Sequence, residues 1–184
     1  MNISYRIIRS NRKNLGLEIN EQGLTIRAPK GISDTDIREF LLKNEKWIIK
    51  HLKKFEEKKK QYDGINKLSE AELNDLADKA MKYIPERVKY YADIIGVTYN
   101  RITIRNQQTR WGSCSSKGNL NFNCLLMLTP PEVIDSIVVH ELCHRKEMNH
   151  SKRFYDEVLS VYPDYYKWNK WLKDNGDKIL FRIK

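Results

Sequence analysis

Three of the chain's four histidines stand within eleven residues, in the stretch HELCHRKEMNH that runs from His140 to His150. On an α-helix, residues four apart lie one turn along and about 40° around the axis, so His140 and His144 face the same way and could grip one ion. Glu141 sits beside that pair, near enough to hold a water on the ion without being a ligand itself. Two imidazoles are too few for a stable catalytic site. His150, six residues after His144, is the expected third ligand, and Glu157, thirteen residues after His144, is its rival. Zinc held by neutral imidazoles with one position left open lowers the pKa of bound water to about 7, and a neighbouring carboxylate can take the proton as that water attacks a carbonyl. The expectation is a zinc site of His140, His144 and His150, with Glu141 as general base.

This is the H-E-x-x-H spacing of zinc metallopeptidases. The interval from His144 to His150 equals that between the second and third ligands in H-E-x-x-H-x-x-G-x-x-H enzymes. Glu147 stands where those enzymes have glycine, so the chain must turn by another route. Met148-Asn149 is the expected place, because asparagine tolerates a left-handed backbone. Val133, Ile134, Ile137, Val138, Val139 and Leu142 make the helix apolar around most of its circumference. Such a helix is buried, and its charged residues need partners. Cys143 points away from the ligand face and reads as a small core side chain. His51 lies alone in a lysine-rich stretch and reads as a surface residue.

The helix must be started and backed by other elements. Thr129-Pro130-Pro131-Glu132 carries a start signature, with Thr129 as N-cap, the helix beginning at Pro130 and Glu132 completing a capping box. Upstream, RITIR (101–105) and NLNFNCLL (119–126) alternate as strands, joined by the loop NQQTRWGSCSSKG. The second strand is the expected edge to which an extended peptide adds, with Arg110, Trp111 and Asn123 at the substrate. Trp111 reads equally well as a core residue of a loop that buttresses the site. A side-chain donor to the tetrahedral oxyanion is expected, and Arg110, Asn123, Tyr155, Tyr165 and Tyr166 stand as equal candidates. Downstream, SKRFYDEVLSVY and DYYKWNKWLKD read as two helices separated by Pro163.

Near the N-terminus, ISYRIIRS, LGLEI and LTIRAP alternate, with NRKN and NEQG as turns, which predicts a small antiparallel sheet. A helix follows from the Ser33 cap through Phe55, and Gly64 marks a boundary. A second helix runs from about Ser69 to Ile95, bent or restarted near Pro85, and is stopped by Gly96. The predicted class is α+β. A β-rich basic module with a helix (1–66) leads into a zincin-like domain (67–184), whose H-E-x-x-H helix packs on a small sheet.

Composition narrows the class of protein. With 32% charged residues and no run near the roughly 18 apolar residues of a membrane span, no membrane partner is expected. The N-terminus has no apolar stretch of the kind that marks export, so a cytoplasmic location is the default. Three widely spaced cysteines, Cys114, Cys124 and Cys143, form no C-x-x-C pair and read as reduced thiols. Of the net charge of +10, residues 1–66 carry +6 and the longer remainder +4. That bias would suit nucleic acid through counterion release, and it equally fits a solvated lysine-rich helix. The rival to a peptidase is therefore a nucleic-acid-associated module whose zinc is structural, or whose proteolysis the polyanion switches on. Glu141 discriminates, since a structural zinc has no use for a carboxylate beside its ligands. Oligomeric state has no signal in the sequence.

Beyond these residues the chain resembles the YgjP-like metallopeptidase family, a relative of the SprT-like and Spartan groups of zinc peptidases. The likeness rests on RSNRKNLGLEI, GLTIRAPKGIS, KNEKWI, TRWGSCSSKGNLNFN, VVHELCHRKEMNHSKRFYDEV and Pro163-Asp164-Tyr165, and it spans nearly the whole length. It implies zinc on His140, His144 and His150, Glu141 as general base, and a peptide or protein substrate whose identity the resemblance does not supply. Arg145 departs from the family pattern, where an apolar residue is more frequent, and Tyr155 replaces a usual tryptophan. Neither departure removes a ligand.

Overall fold

The computed structural model describes residues 4–20 and 22–183. Ile3 of the first predicted strand and Glu21 of the NEQG turn lie outside the described residues. The chain divides into two compact units, one up to Ile65 and one over Asn66–Ile183.

The first unit holds β1 (Tyr5–Ser10), β2 (Gly16–Asn20), β3 (Gly23–Pro29), α1 (Asp34–Lys43) and α2 (Glu45–Gln61). Its sheet is mixed rather than antiparallel. The order is β1-β3-β2, with β2 antiparallel to β3 through a tight hairpin and β1 parallel to β3 on the far edge. Alternation specifies which face a residue takes, and it carries no information on which neighbour a strand pairs with or in which direction. Leu24, Ile26 and Ala28 of β3 pack with Ile37, Leu41 and Ile48 into a core of their own. Ser33 caps α1, its Oγ accepting from the Asp36 amide at 3.1 Å. The single predicted helix is broken at Asn44, whose side chain donates to the Phe40 carbonyl at 2.7 Å.

The second unit opens with α3 (Glu70–Ile95), which is closed at its start by a Ser69–Glu72 capping box and runs unbroken through Pro85 to Gly96. Next come β4 (Ile102–Arg105), β5 (Gly112–Cys114) and β6 (Leu120–Asn123), then a 3-10 turn over Cys124–Leu128. The sheet order is β4-β6-β5, with β4 parallel and β5 antiparallel to β6, the same topology as in the first unit. β6 is therefore the central strand, and the expectation that NLNFN offers a free edge is corrected. β4 and β5 are the outer strands, because the predicted loop contains a third strand, β5, that pairs with the far side of β6.

Helix α4 (Pro131–Cys143) carries the histidines and packs against α3, β5, α5 (Lys152–Val161) and α6 (Tyr165–Phe181). Its N-cap is Pro130, one residue later than predicted, and no capping box forms. The Thr129 hydroxyl instead donates to the Leu126 carbonyl at 2.7 Å, tying the 3-10 turn to the helix start. Behind α4, Arg87 of α3 makes a two-pronged pair with Asp135, at 2.7 Å and 2.8 Å, and the Tyr91 hydroxyl donates to the same carboxylate at 3.1 Å. That pairing fixes the rotation of α4 so that His140 and Glu141 turn toward β5 and α6. None of the described helices is long and apolar enough to cross a membrane.

Candidate active site

Helix α4 ends at Cys143, and His144 is its C-cap, still in a right-handed helical conformation. The Arg145 and Lys146 amides donate to Leu142 and Cys143 carbonyls, and Glu147 N–H also donates to the Cys143 carbonyl, which tightens the last turn and reverses the chain. Among the described residues no non-glycine residue has positive φ, so the expected left-handed Asn149 is not how the turn is made. The Asn149 carbonyl instead accepts from the Ser151 amide at 2.8 Å. The Ser151 hydroxyl accepts from the Phe154 amide at 3.3 Å and so starts α5. This sequence of turns brings His150 back over the end of α4.

One ring nitrogen from each of His140, His144 and His150 falls in a group whose members all lie within 4.8 Å of one another. His140 Nε2 and His150 Nε2 are 3.0 Å apart. Phe154, fully buried, supplies a common wall: its ring centroid is 4.9 Å from that of His140, 4.5 Å from His144 and 4.9 Å from His150. Two of the imidazoles are held from behind. His144 Nδ1 lies 3.0 Å from the Glu147 carbonyl, which can only accept, so Nδ1 carries the proton and Nε2 is left with a lone pair. His140 Nδ1 lies 2.8 Å from the Tyr165 hydroxyl. Burial, reinforced by the other two rings, lowers the His140 pKa to about 3, and burial lowers that of His144 as well. Neutral imidazoles are what a metal requires. The donor set, three converging nitrogens with the second nitrogens of His140 and His144 partnered, therefore fits a divalent ion.

Glu157, the rival ligand, is paired with Lys146. Glu141 is 6% exposed and lies beside the cluster on α4. Burial pushes its carboxyl up to about 8, opposed by the nearby Arg110 guanidinium and by a hydrogen bond from the Cys114 backbone N–H of β5.

A cleft of about 500 Å³ opens on Glu141 and His140. One wall is Thr109, Arg110, Trp111 and Gly112, and the floor includes Ile137. The opposite wall is one face of α6, from Tyr165 and Asn169 to Leu180. Arg110 and Trp111, the residues expected at the substrate, both line the cleft. Trp111 also packs on α6, since a β-carbon at Gly176 would stand 3.0 Å from its Cζ2. Asn123 is elsewhere. It is fully buried, its amide nitrogen donates to the Gln107 and Arg110 carbonyls at 2.7 Å and 2.9 Å, and its Oδ1 accepts from the Leu125 amide. It shapes the loop that presents Arg110 and does not itself reach the cleft. Sequence reasoning did not single out Phe154, Asn169 or Gly176. The Ser151 cap placed Phe154 on the first turn of α5, and that was the available signal.

No curated protein matches the chain. Among solved structures, the metallopeptidase zymogen abylysin of Pyrococcus abyssi is 22% identical, with 50% of this chain and 93% of that one covered at a TM-score of 0.45. The metallopeptidase zymogen jannalysin of Methanocaldococcus jannaschii is 21% identical, with 49% and 95% covered at a TM-score of 0.42. Residues 13–75 and 64–175 match the YgjP-like family, metallopeptidase domain, and over that span, which includes the histidine cluster, Glu141 and the cleft's β5 wall, the chain belongs to the YgjP-like family and is a metallopeptidase.

Proposed function

We propose that this chain hydrolyses peptide bonds at the cleft, with zinc held by His140, His144 and His150 and Glu141 acting as general base. The observation that carries the reading is the pairing of three converging imidazoles with a buried carboxylate one residue along from His140 on the same helix. Three nitrogen donors with room for a further ligand suit zinc, which when bound would lower the pKa of a coordinated water to about 7 and polarise the scissile carbonyl. Glu141, pinned by the Cys114 N–H, takes the proton of the attacking water and can pass it to the leaving amine. Its buried surroundings raise its basicity towards that task. An extended substrate would lie along the cleft wall formed by Arg110, Trp111 and Gly112, presenting its carbonyl beside Glu141. A purely structural zinc would leave the costly burial of Glu141 without a purpose.

Metal analysis of the purified protein, followed by digestion of a proteome-derived peptide library with and without chelator, tests this reading. Zinc near one per chain and chelator-sensitive cleavage are expected. Cleavage indifferent to metal removal would contradict it.

A second reading concerns the first unit, where Lys53, Lys54, Lys59 and Lys60 of α2 are exposed. These exposed ammonium groups would suit a polyanion, and docking on nucleic acid would bring enzyme and substrate onto one scaffold. Binding of labelled DNA should then fall steeply with salt and be lost when these lysines become glutamine. No binding at low salt rejects it.

A further inference from the structure

We propose that Tyr165, oriented by Asn169, is a positioning residue that holds His140 in the tautomer a metal requires. The inference rests on the three-histidine site proposed above and assigns a task to α6, which contributes no ligand.

Tyr165 opens α6 and is 2% exposed. Its hydroxyl has two polar neighbours, His140 Nδ1 at 2.8 Å and Asn169 Nδ2, one turn further along α6, at 2.9 Å. An amide nitrogen only donates, so Asn169 occupies one acceptor position of the phenol oxygen and fixes its direction. For a neutral His140 to present Nε2 to an ion, its proton must sit on Nδ1, and there it donates to the remaining acceptor position on Tyr165. The Glu147 carbonyl does the same for His144. Phenylalanine at 165 would keep the ring packing and remove the acceptor. Nδ1–H would then be left buried without a partner, and the alternative tautomer, which blocks Nε2, would no longer be disfavoured.

The same geometry separates this role from oxyanion stabilisation. The two nitrogens of an imidazole face opposite sides of the ring, so a group bonded to Nδ1 stands on the side away from an ion on Nε2. Tyr165 touches a ligand and not the reacting atoms.

The metal-free protein gives a direct readout. His140 Nε2 and His150 Nε2 are 3.0 Å apart, so one must donate to the other. If Tyr165 keeps the His140 proton on Nδ1, the shared proton belongs to His150. Nitrogen-15 spectra of metal-free protein should show His140 as the Nδ1–H tautomer. In Tyr165→Phe that preference should be lost, and zinc affinity, measured by chelator competition without substrate, should fall 10- to 100-fold. Asn169→Ala, which keeps the hydroxyl but frees its direction, should cost several-fold, and it decides the matter if the phenylalanine variant does not fold. Tyr166→Phe, at an exposed neighbour, should change neither tautomer nor affinity. An Nε2–H tautomer of His140 in the wild type, or affinity within twofold of wild type in both Tyr165→Phe and Asn169→Ala, overturns the proposal. A wild type that binds no zinc would instead undo the metal reading, leaving the tautomer measurement to judge Tyr165 by itself.

Discussion

Gly112 of β5 lies flat against Glu141 of α4: a β-carbon at position 112 would stand 2.6 Å from Glu141 Oε1 and 2.8 Å from its Cγ. Any side chain there must displace the carboxylate, which is too buried to swing aside freely. The strand and the helix are thus fitted to each other at the proposed general base. Gly112→Ala should retain zinc, because no ligand is touched, and lose peptide hydrolysis by roughly 10²-fold or more, the scale of misplacing a general base. Zinc content and turnover in one preparation check this, and near-normal turnover would show that Glu141 does not act from its observed position.

The buried site also predicts how metal-free protein responds to pH. Burial raises the Glu141 carboxyl from 4.5 to about 8, so above pH 4.5 the unfolded chain releases a proton that the folded chain keeps, and stability falls as pH rises towards 8. His140 is lowered from 6.5 to about 3, so below pH 6.5 the unfolded chain gains a proton that the folded chain refuses, and stability falls as pH drops towards 3. Glu141→Gln removes the first effect alone. Urea denaturation of chelated protein should find this variant more stable than wild type by roughly 3 kcal/mol at pH 7, with the advantage vanishing near pH 4. Parallel pH profiles for the two proteins would refute the assignment.

The choice between His150 and Glu157 as third ligand predicts a clean contrast. His150 joins the imidazole cluster, whereas Glu157 is spent on Lys146. His150→Ala should weaken zinc binding by orders of magnitude, while Glu157→Ala should leave it within a few-fold of wild type. Isothermal titration against a competing chelator distinguishes them, and the opposite ranking would reject His150.

What could be read without the structure was what local spacing determines. His140, Glu141 and His144 share a helix face by simple periodicity, and the return of His150 followed from an interval of six residues. Strand direction was not legible, because alternation in β1 and β6 reports faces and leaves pairing open. Asn123 looked like a polar residue poised at a strand end for substrate, and its actual work, satisfying the Gln107 and Arg110 carbonyls, depends on a loop fold that alternation cannot encode. Tyr165 stood with Arg110, Asn123, Tyr155 and Tyr166 as an equal candidate for oxyanion donor, and its hydroxyl's place 2.8 Å from His140 Nδ1 depends on the packing of α6, which local spacing does not encode.

The central claim is that Glu141 activates water on a zinc held by three histidines, and Glu141→Gln tests it most directly. The amide keeps the shape of the side chain and cannot accept the proton. Measured on the same preparation, zinc should remain near one per chain while peptide hydrolysis falls by roughly 10²- to 10⁴-fold. Hydrolysis that survives at wild-type rate with zinc in place would contradict the account.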